Sequence, residues 1–156
     1  HTAGELMGVS IDCVYTSPCQ SAEETARAVG EQLGVKVKRL ERLANLDCGL
    51  WQGKRIEEVR QQQPKAYRMW QDHPEKVCPP EGESVNAAQT RVRATLARLQ
   101  KKHRSGVLAI VAPEPLLSLV ASQLRQADLG DLWKVECACG SWDSIEVEGP
   151  RPVASS

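Results

Sequence analysis

The segment Ala109-Ile110-Val111-Ala112-Pro113-Glu114-Pro115-Leu116 ends one apolar run and starts another apolar pattern within three residues. A buried strand that turns sharply into a helix is where open α/β proteins hold ligands. A helix N-terminus at such a turn favours an anion, yet Pro113 and Glu114 neither bind an anion nor attack a substrate. The Glu114 carboxylate would itself satisfy the helix dipole and repel a phosphate; the plainer reading is a solvated residue of the first helical turn. Cys19 stands at the start of a second helical pattern, where a thiol pKa can fall. A thiol-based phosphatase needs backbone N–H groups and an arginine directly after the cysteine, and Gln20-Ser21-Ala22 does not offer that. Cys19 therefore reads as the first residue of the helix's apolar stripe, and Ser21 as solvent-facing, with no histidine placed as its base. Cys137-Ala138-Cys139 would put two sulfurs on one face of a strand, but zinc needs a second pair or nearby histidines, and His73 and His103 stand alone. The six cysteines, at 13, 19, 48, 78, 137 and 139, read as reduced thiols, several of them buried. They point to the cytoplasm, with no metal site and no cofactor. The sequence has no G-x-S-x-G, G-x-x-x-x-G-K, H-E-x-x-H or strand-borne G-x-G-x-x-G.

These residues sit in a chain of 156 residues with 41% hydrophobic and 26% charged residues, which fits one globular domain with a real core. Formal net charge is zero, so the total gives no support to a nucleic-acid surface. No apolar run approaches the length of a bilayer span, and the start lacks the pattern of a secretory signal. Phe is absent, so aliphatic side chains fill the core, with Trp51 and Trp70 expected to cover its edge. A single domain is expected over 1–150, followed by a disordered tail over 151–156.

Periodicity predicts the elements. Residues 11–16 read as a short strand. Ser17-Pro18 with Gln20 reads as a capping box opening a helix with Cys19, Ala22, Ala26, Val29 and Leu33 inward, and Gly34 ends it. Residues 35–40 alternate as an edge strand guarded by Lys. After a loop over 43–53, residues 56–62 and 65–71 form short helices broken by Pro64. Ser84 opens a long helix to about 102, with Val85, Ala88, Val92, Leu96 and Leu99 buried. Its C-terminal cluster of Lys101, Lys102, His103 and Arg104 suits the helix dipole. Residues 106–112 read as a central strand buried on both faces, followed by a helix with Leu116, Leu117, Val120 and Leu124 inward. Residues 132–139 and 142–148 read as two more strands. The alternation predicts an α/β fold, helix–sheet–helix in three layers, with a mostly parallel sheet.

Four motifs in this order resemble the histidine phosphatase superfamily, the phosphoglycerate mutase-like proteins. They are Val14-Tyr15-Thr16-Ser17-Pro18 followed by Thr25-Ala26; residues 43–53, ending in the G-x-W-x-G pattern of Gly49, Trp51 and Gly53; Pro80-Glu81-Gly82-Glu83-Ser84 before the long helix; and the strand and turn over 108–117. Each motif is weak alone, and together they are specific over about 11–120.

The resemblance implies a phosphate-transfer site. A histidine in an Arg-His-Gly turn attacks the phosphate, a second histidine and two arginines surround it, and a carboxylate in the G-E-S turn donates the proton. Such a site follows the needs of phosphoryl transfer. Carried over position by position, only the proton donor is retained, as Glu83. Ser21 stands where an arginine is expected, Asn45 where a glutamate is common, and Pro113 where the second histidine belongs, with Glu114 after it. The segment over 2–7 resembles the end of the helix that follows the Arg-His-Gly turn, so the first strand and its turn are expected to be missing from this sequence. In the plainer reading Glu83 is a loop residue whose charge suits the helix dipole.

The reading that follows is a degenerate superfamily member without phosphohistidine catalysis, acting as a binding or regulatory module for an unknown small molecule or protein, with no nucleic acid and no membrane. The alternative is a phosphatase or phosphoglycerate mutase-like enzyme whose nucleophile lies in an upstream segment. A third possibility is an oligomerisation role. The family's first strand would lie between the strands at 13–16 and 108–112. Its gap would then be filled by another chain, as in a homo-oligomer, or the sheet would close over it.

Overall fold

The computed structural model describes residues 4, 6–130, 132 and 142–148. Three parallel strands form one sheet in the order β2-β1-β3: β1 is Cys13–Thr16, β2 is Lys36–Arg39 and β3 is Leu108–Val111. All four residues of β1 are buried, as expected of a strand covered on both faces. Val14 pairs with Val37 on one side and with Ala109 on the other, and Tyr15 pairs with Lys38 and Ile110. A hydrogen-bonded ladder leaves only about 4.8 Å between strands, so no further strand lies between β1 and β3. Of the two outcomes expected, the sheet closes between β1 and β3 rather than leaving a seat for another strand there.

Helices accompany the sheet, among them α1 Gln20–Leu33, α2 Ile56–Gln62, α3 Pro64–Asp72, α4 Val85–Lys102 and α5 Leu116–Arg125. Ala26 and Val29 of α1 pack with Val14, Ala109 and Val111 on one face of the sheet. Leu99 of α4 packs with Cys13, Tyr15 and Ile110 on the other. The period-two alternation of β1 and β3 therefore divides their side chains between two helical layers, giving the helix–sheet–helix arrangement. A larger core lies beyond the sheet, where the loop residues Leu43 and Leu46 join Val59, Trp70, Val85, Val92 and Leu116. Trp51 and Trp70 are inside this core, with ring centroids 5.9 Å apart and planes at 65°, rather than at its edge. An edge-to-face pair of this kind supplies volume that a core without Phe otherwise lacks.

Several local expectations change. Ser17 does not cap α1: the helix starts at Gln20 and its N-cap is Cys19, without a side-chain cap bond, while the Ser17 hydroxyl donates to the Leu43 carbonyl at 2.6 Å. Cys19 is half-buried rather than part of the buried stripe, which is Ala22, Ala26, Val29 and Gly30. Of the described cysteines only Cys13 is buried. Leu119, rather than Leu117, completes the buried face of α5 with Leu116 and Val120. Strand β3 is half-buried along its length and is an outer strand of the described sheet, not a central one. Residues 142–148 have no regular structure, and the strand expected over 132–139 lies, after Leu132, outside the described residues, as do Cys137, Cys139 and the tail over 151–156. Other signals hold. Gly34 ends α1 in the left-handed region at φ 67°, where glycine is at no steric disadvantage. Ser84 caps α4 by accepting from the Ala87 N–H at 3.1 Å. Among the described residues no helix is long and apolar enough to cross a membrane.

Candidate functional site

The G-E-S turn is held by a close crossing with the loop over 45–53. The Glu83 N–H donates to the Asp47 carbonyl at 2.8 Å and the Leu50 N–H donates to the Pro80 carbonyl at 2.9 Å. The two backbones approach so closely that a Cβ on Gly49 would strike the Pro80 carbonyl oxygen, and one on Gly82 would strike that of Asp47. Gly49 also has φ 49°. Gly49 and Gly82 are thus explained by one contact that fixes where Glu83 leaves the backbone.

Glu83 then meets Arg91, two turns into α4. Arg91 Nε donates to Glu83 Oε1 at 2.7 Å and Nη2 donates to Oε2 at 2.9 Å. The pair is about one-fifth exposed. The same guanidinium donates from Nη1 to the Arg42 carbonyl at 2.8 Å and from Nη2 to the Asn45 carbonyl at 3.2 Å. A planar fork with fixed donor directions suits this task, and a lysine could not reproduce it. Sequence reasoning missed Arg91. Glu83 lies before the N-cap Ser84, outside the helix, so no helical spacing pairs it with Arg91 and the sequence carries no local signal of the contact.

Asn45 carries the connection to the turn after β3. Its Nδ2 donates to the Glu114 carbonyl at 3.0 Å, while its Oδ1 accepts from the Leu46 and Leu116 N–H groups at 2.9 and 3.2 Å. The Glu114 carboxylate turns onto its own helix: Oε2 accepts from the Ser118 N–H at 3.1 Å and from the Ser118 hydroxyl at 2.8 Å. It occupies an orphan donor of the first turn of α5, the group an anion would otherwise engage. Pro113, in the same turn, has only its carbonyl to offer, which accepts from the Leu117 N–H at 3.0 Å.

Asn45, Glu83 and Glu114 are therefore joined in one hydrogen-bonded chain through Arg91, with Pro113 adjoining Glu114. Ser21 stands outside it. Its side chain is exposed, its carbonyl accepts from Thr25 Oγ1 at 2.9 Å, and its hydroxyl lies 3.7 Å from Cys19 Sγ. His73 is exposed beside Glu75. His103 is not alone: its Nε2 lies 2.7 Å from the Tyr15 hydroxyl, on the far side of the sheet from α1. Among the described residues no three of His, Cys, Asp and Glu are grouped to hold a metal ion. The arrangement can hold loops rigidly, and the Glu83 carboxylate is engaged by a guanidinium.

The sequence profile of the histidine phosphatase superfamily (branch 1) matches residues 1–156. Phosphoserine phosphatase 1 of Hydrogenobacter thermophilus is 29% identical over 151 residues, 97% of this chain and 72% of that protein. The adenosylcobalamin/alpha-ribazole phosphatase of Escherichia coli is 26% identical over 142 residues, 91% of this chain and 70% of that protein. Among solved structures, Bacillus stearothermophilus YhfR aligns with a TM-score of 0.73 at 26% identity, over 85% of this chain and 66% of that one. A mycobacterial glucosyl-3-phosphoglycerate phosphatase aligns with a TM-score of 0.72 at 22% identity, over 84% of this chain and 65% of that one. This chain thus spans just under two-thirds of the length of these two solved structures.

Proposed function

This chain belongs to the histidine phosphatase superfamily, and we propose that it is a phosphatase-fold binding or regulatory module without phosphohistidine catalysis, in which the pocket positions are Ser21, Asn45, Glu83, Pro113 and Glu114. The observation that carries the reading is the turn after β3. The position that would hold the second histidine is Pro113, and the neighbouring Glu114 has filled the helix N-terminus with its own carboxylate. Replacing a cation and an imidazole by Ser21 and Pro113 removes charge-assisted contacts of about 1.5–3 kcal/mol each, and Glu114 adds a negative charge where a phosphate would sit. The engagement of Glu83 by Arg91 supports the same reading, since both of its carboxylate oxygens are occupied by guanidinium N–H groups of this chain. The reading places the module in one domain over 1–150. The four described cysteines are free thiols, which supports a reducing compartment, the cytoplasm.

A second reading is favoured by the relatives: proteins similar over most of this chain are named as phosphatases, of phosphoserine and of alpha-ribazole among others. In it, the full-length protein is a phosphatase whose nucleophile comes from an upstream segment. One experiment decides. The full-length protein is assayed with an aryl phosphate, O-phosphoserine and phosphoglycerates, beside its Glu83→Gln variant. No turnover above background, with no phosphoenzyme trapped, is the expected result. Turnover that disappears in Glu83→Gln would establish the phosphatase instead.

A further inference from the structure

We propose that the cleft between α2 and α3 binds a phosphomonoester dianion, at a site separate from the Glu83 network. The cleft has a volume of about 360 Å³ and is lined by Arg60 of α2 and by Pro64, Tyr67, Arg68 and Gln71 of α3. A smaller neighbouring hollow of about 170 Å³ adds Lys65. The lining contains three cations and no carboxylate.

The helices produce this arrangement from their periodicity. Trp70 of α3 is buried and Ala66 packs against the core, so Pro64, Tyr67, Arg68 and Gln71, at spacings of three and four, fall on the opposite stripe. Arg60 comes from the last turn of α2, just before the corner at Gln63. Arg39 is engaged with Glu23 and Glu41, and Arg91 with Glu83; Arg27, Arg42, Arg98 and Arg104 form no ion pair among the described residues, and Arg60 and Arg68 differ from them in sharing one concavity. Arg60, Lys65 and Arg68 form no ion pair among the described residues. Unpaired cations gathered in a concavity raise the local concentration of anions.

The chemistry favours a phosphomonoester over a lone carboxylate. A phosphomonoester carries nearly two charges on three oxygens in a compact volume, enough for two guanidinium forks at once, whereas a single carboxylate is satisfied by one fork. Gln71 Nε2 donates to the Tyr67 hydroxyl at 3.0 Å, which leaves that hydroxyl's own proton free to donate. The rings of Pro64 and Tyr67 offer an apolar wall for the organic part of the ester. The group could come from a small phosphorylated metabolite or from a phosphorylated side chain of a protein. This site depends neither on the presence nor on the absence of catalysis at Glu83.

The test is isothermal titration calorimetry of the full-length protein with O-phospho-L-serine, with a phosphoserine pentapeptide and with L-serine. Saturable binding of one or both phosphorylated probes, and none of L-serine, is expected. Affinity should fall about tenfold or more in the Arg60→Met/Arg68→Met double variant. The single variants Arg60→Gln and Arg68→Gln, each changing one exposed side chain, should lose about threefold or more on their own. A clear preference for the peptide identifies a protein partner; equal affinity identifies a small ester. No saturable binding of either phosphorylated probe overturns the proposal. So does undiminished affinity in both single variants, because the phosphate would then sit elsewhere.

Discussion

Arg91 and Glu83 meet through two parallel hydrogen bonds of 2.7 and 2.9 Å, and the same guanidinium holds two carbonyls of the loop that crosses the G-E-S turn. One side chain thus ties α4, the G-E-S turn and the loop from Arg42 to Asn45 together. The pair is largely screened from water by the loops it joins, so removing Arg91 leaves both a carboxylate and two carbonyls short of donors.

Arg91→Met should therefore destabilise the fold by about 2–4 kcal/mol, since charge-assisted bonds contribute about 1.5–3 kcal/mol and an orphaned, partly buried charge costs more. Arg91→Lys should recover only part of that, because an ammonium group cannot serve both carboxylate oxygens and both carbonyls from one plane. Urea denaturation of the two variants checks the order. Equal stability of Arg91→Met and the parent would mean that the network contributes nothing.

Asn45 uses its amide from both ends, donating to the Glu114 carbonyl and accepting from the Leu116 N–H. Asn45→Asp keeps the shape and the acceptor but turns the donor into an oxygen facing the Glu114 carbonyl oxygen. A loss of about 1–3 kcal/mol is expected from the unmade bond and the repulsion. The Leu116 amide should retain its hydrogen-exchange protection in Asn45→Asp and lose it in Asn45→Ala. Equal protection in the two variants would contradict the assigned bond.

The architecture was legible in the sequence because it rests on periodicity and end signals: the stripe of α4, the Ser84 cap, the Gly34 stop and the charged edge of β2 are local properties of consecutive residues. The central place of β1 and the outer place of β3 were not, because strand order depends on which chains of contacts form across 95 residues, as between Asp12 and Val107. The apolar run over 106–112 looked central, yet β3 pairs with β1 alone among the described strands and its four residues are only half-buried. At the site, Asn45, Glu83 and Glu114 could be singled out by motif. Arg91, which joins Glu83 to the Asn45 carbonyl, could not, since its role comes from the Gly49–Gly82 crossing, which brings the loop within reach of α4. Ser17 is not a cap because the helix begins two residues later, with Cys19 at the N-cap, and its buried hydroxyl is used in a tertiary bond to the Leu43 carbonyl.

Glu114 offers a prediction with two opposite signs. Glu114→Ala removes the acceptor of the Ser118 N–H and hydroxyl, and the loss of a cap of this type costs about 1 kcal/mol. The same change uncovers the N-terminus of α5 and deletes a negative charge. The variant should melt earlier than the parent and be restored more strongly by inorganic phosphate, a shift read by thermal denaturation with and without the anion. The same phosphate response in parent and variant would show that Glu114 does not block the turn.

Tyr15 predicts an alkaline limit to stability. It is buried in β1, and burial, reinforced by the neighbouring Cys13 thiol, pushes its phenol pKa above the ordinary value of 10.0. Below that value the phenol is neutral in both folded and unfolded chains, so the stability contributed here is fully present. As pH rises further the unfolded chain loses its proton first, and stability falls until the folded-state value is passed. Cys48 acts with the same sign from a lower starting point: burial, then the charge of Asp47, raises its thiol above 9.0. Urea midpoints followed by tryptophan fluorescence should thus be flat across neutral pH, begin to fall near about pH 9 and fall more steeply above about pH 10. Cys48→Ala should remove the first part of the decline. Tyr15→Phe should remove the second while lowering the neutral-pH stability by about 0.5–1.5 kcal/mol, since the 2.7 Å bond to His103 Nε2 is lost. A decline above pH 10 that survives unchanged in Tyr15→Phe would assign the alkaline limit to other groups and detach it from the buried phenol.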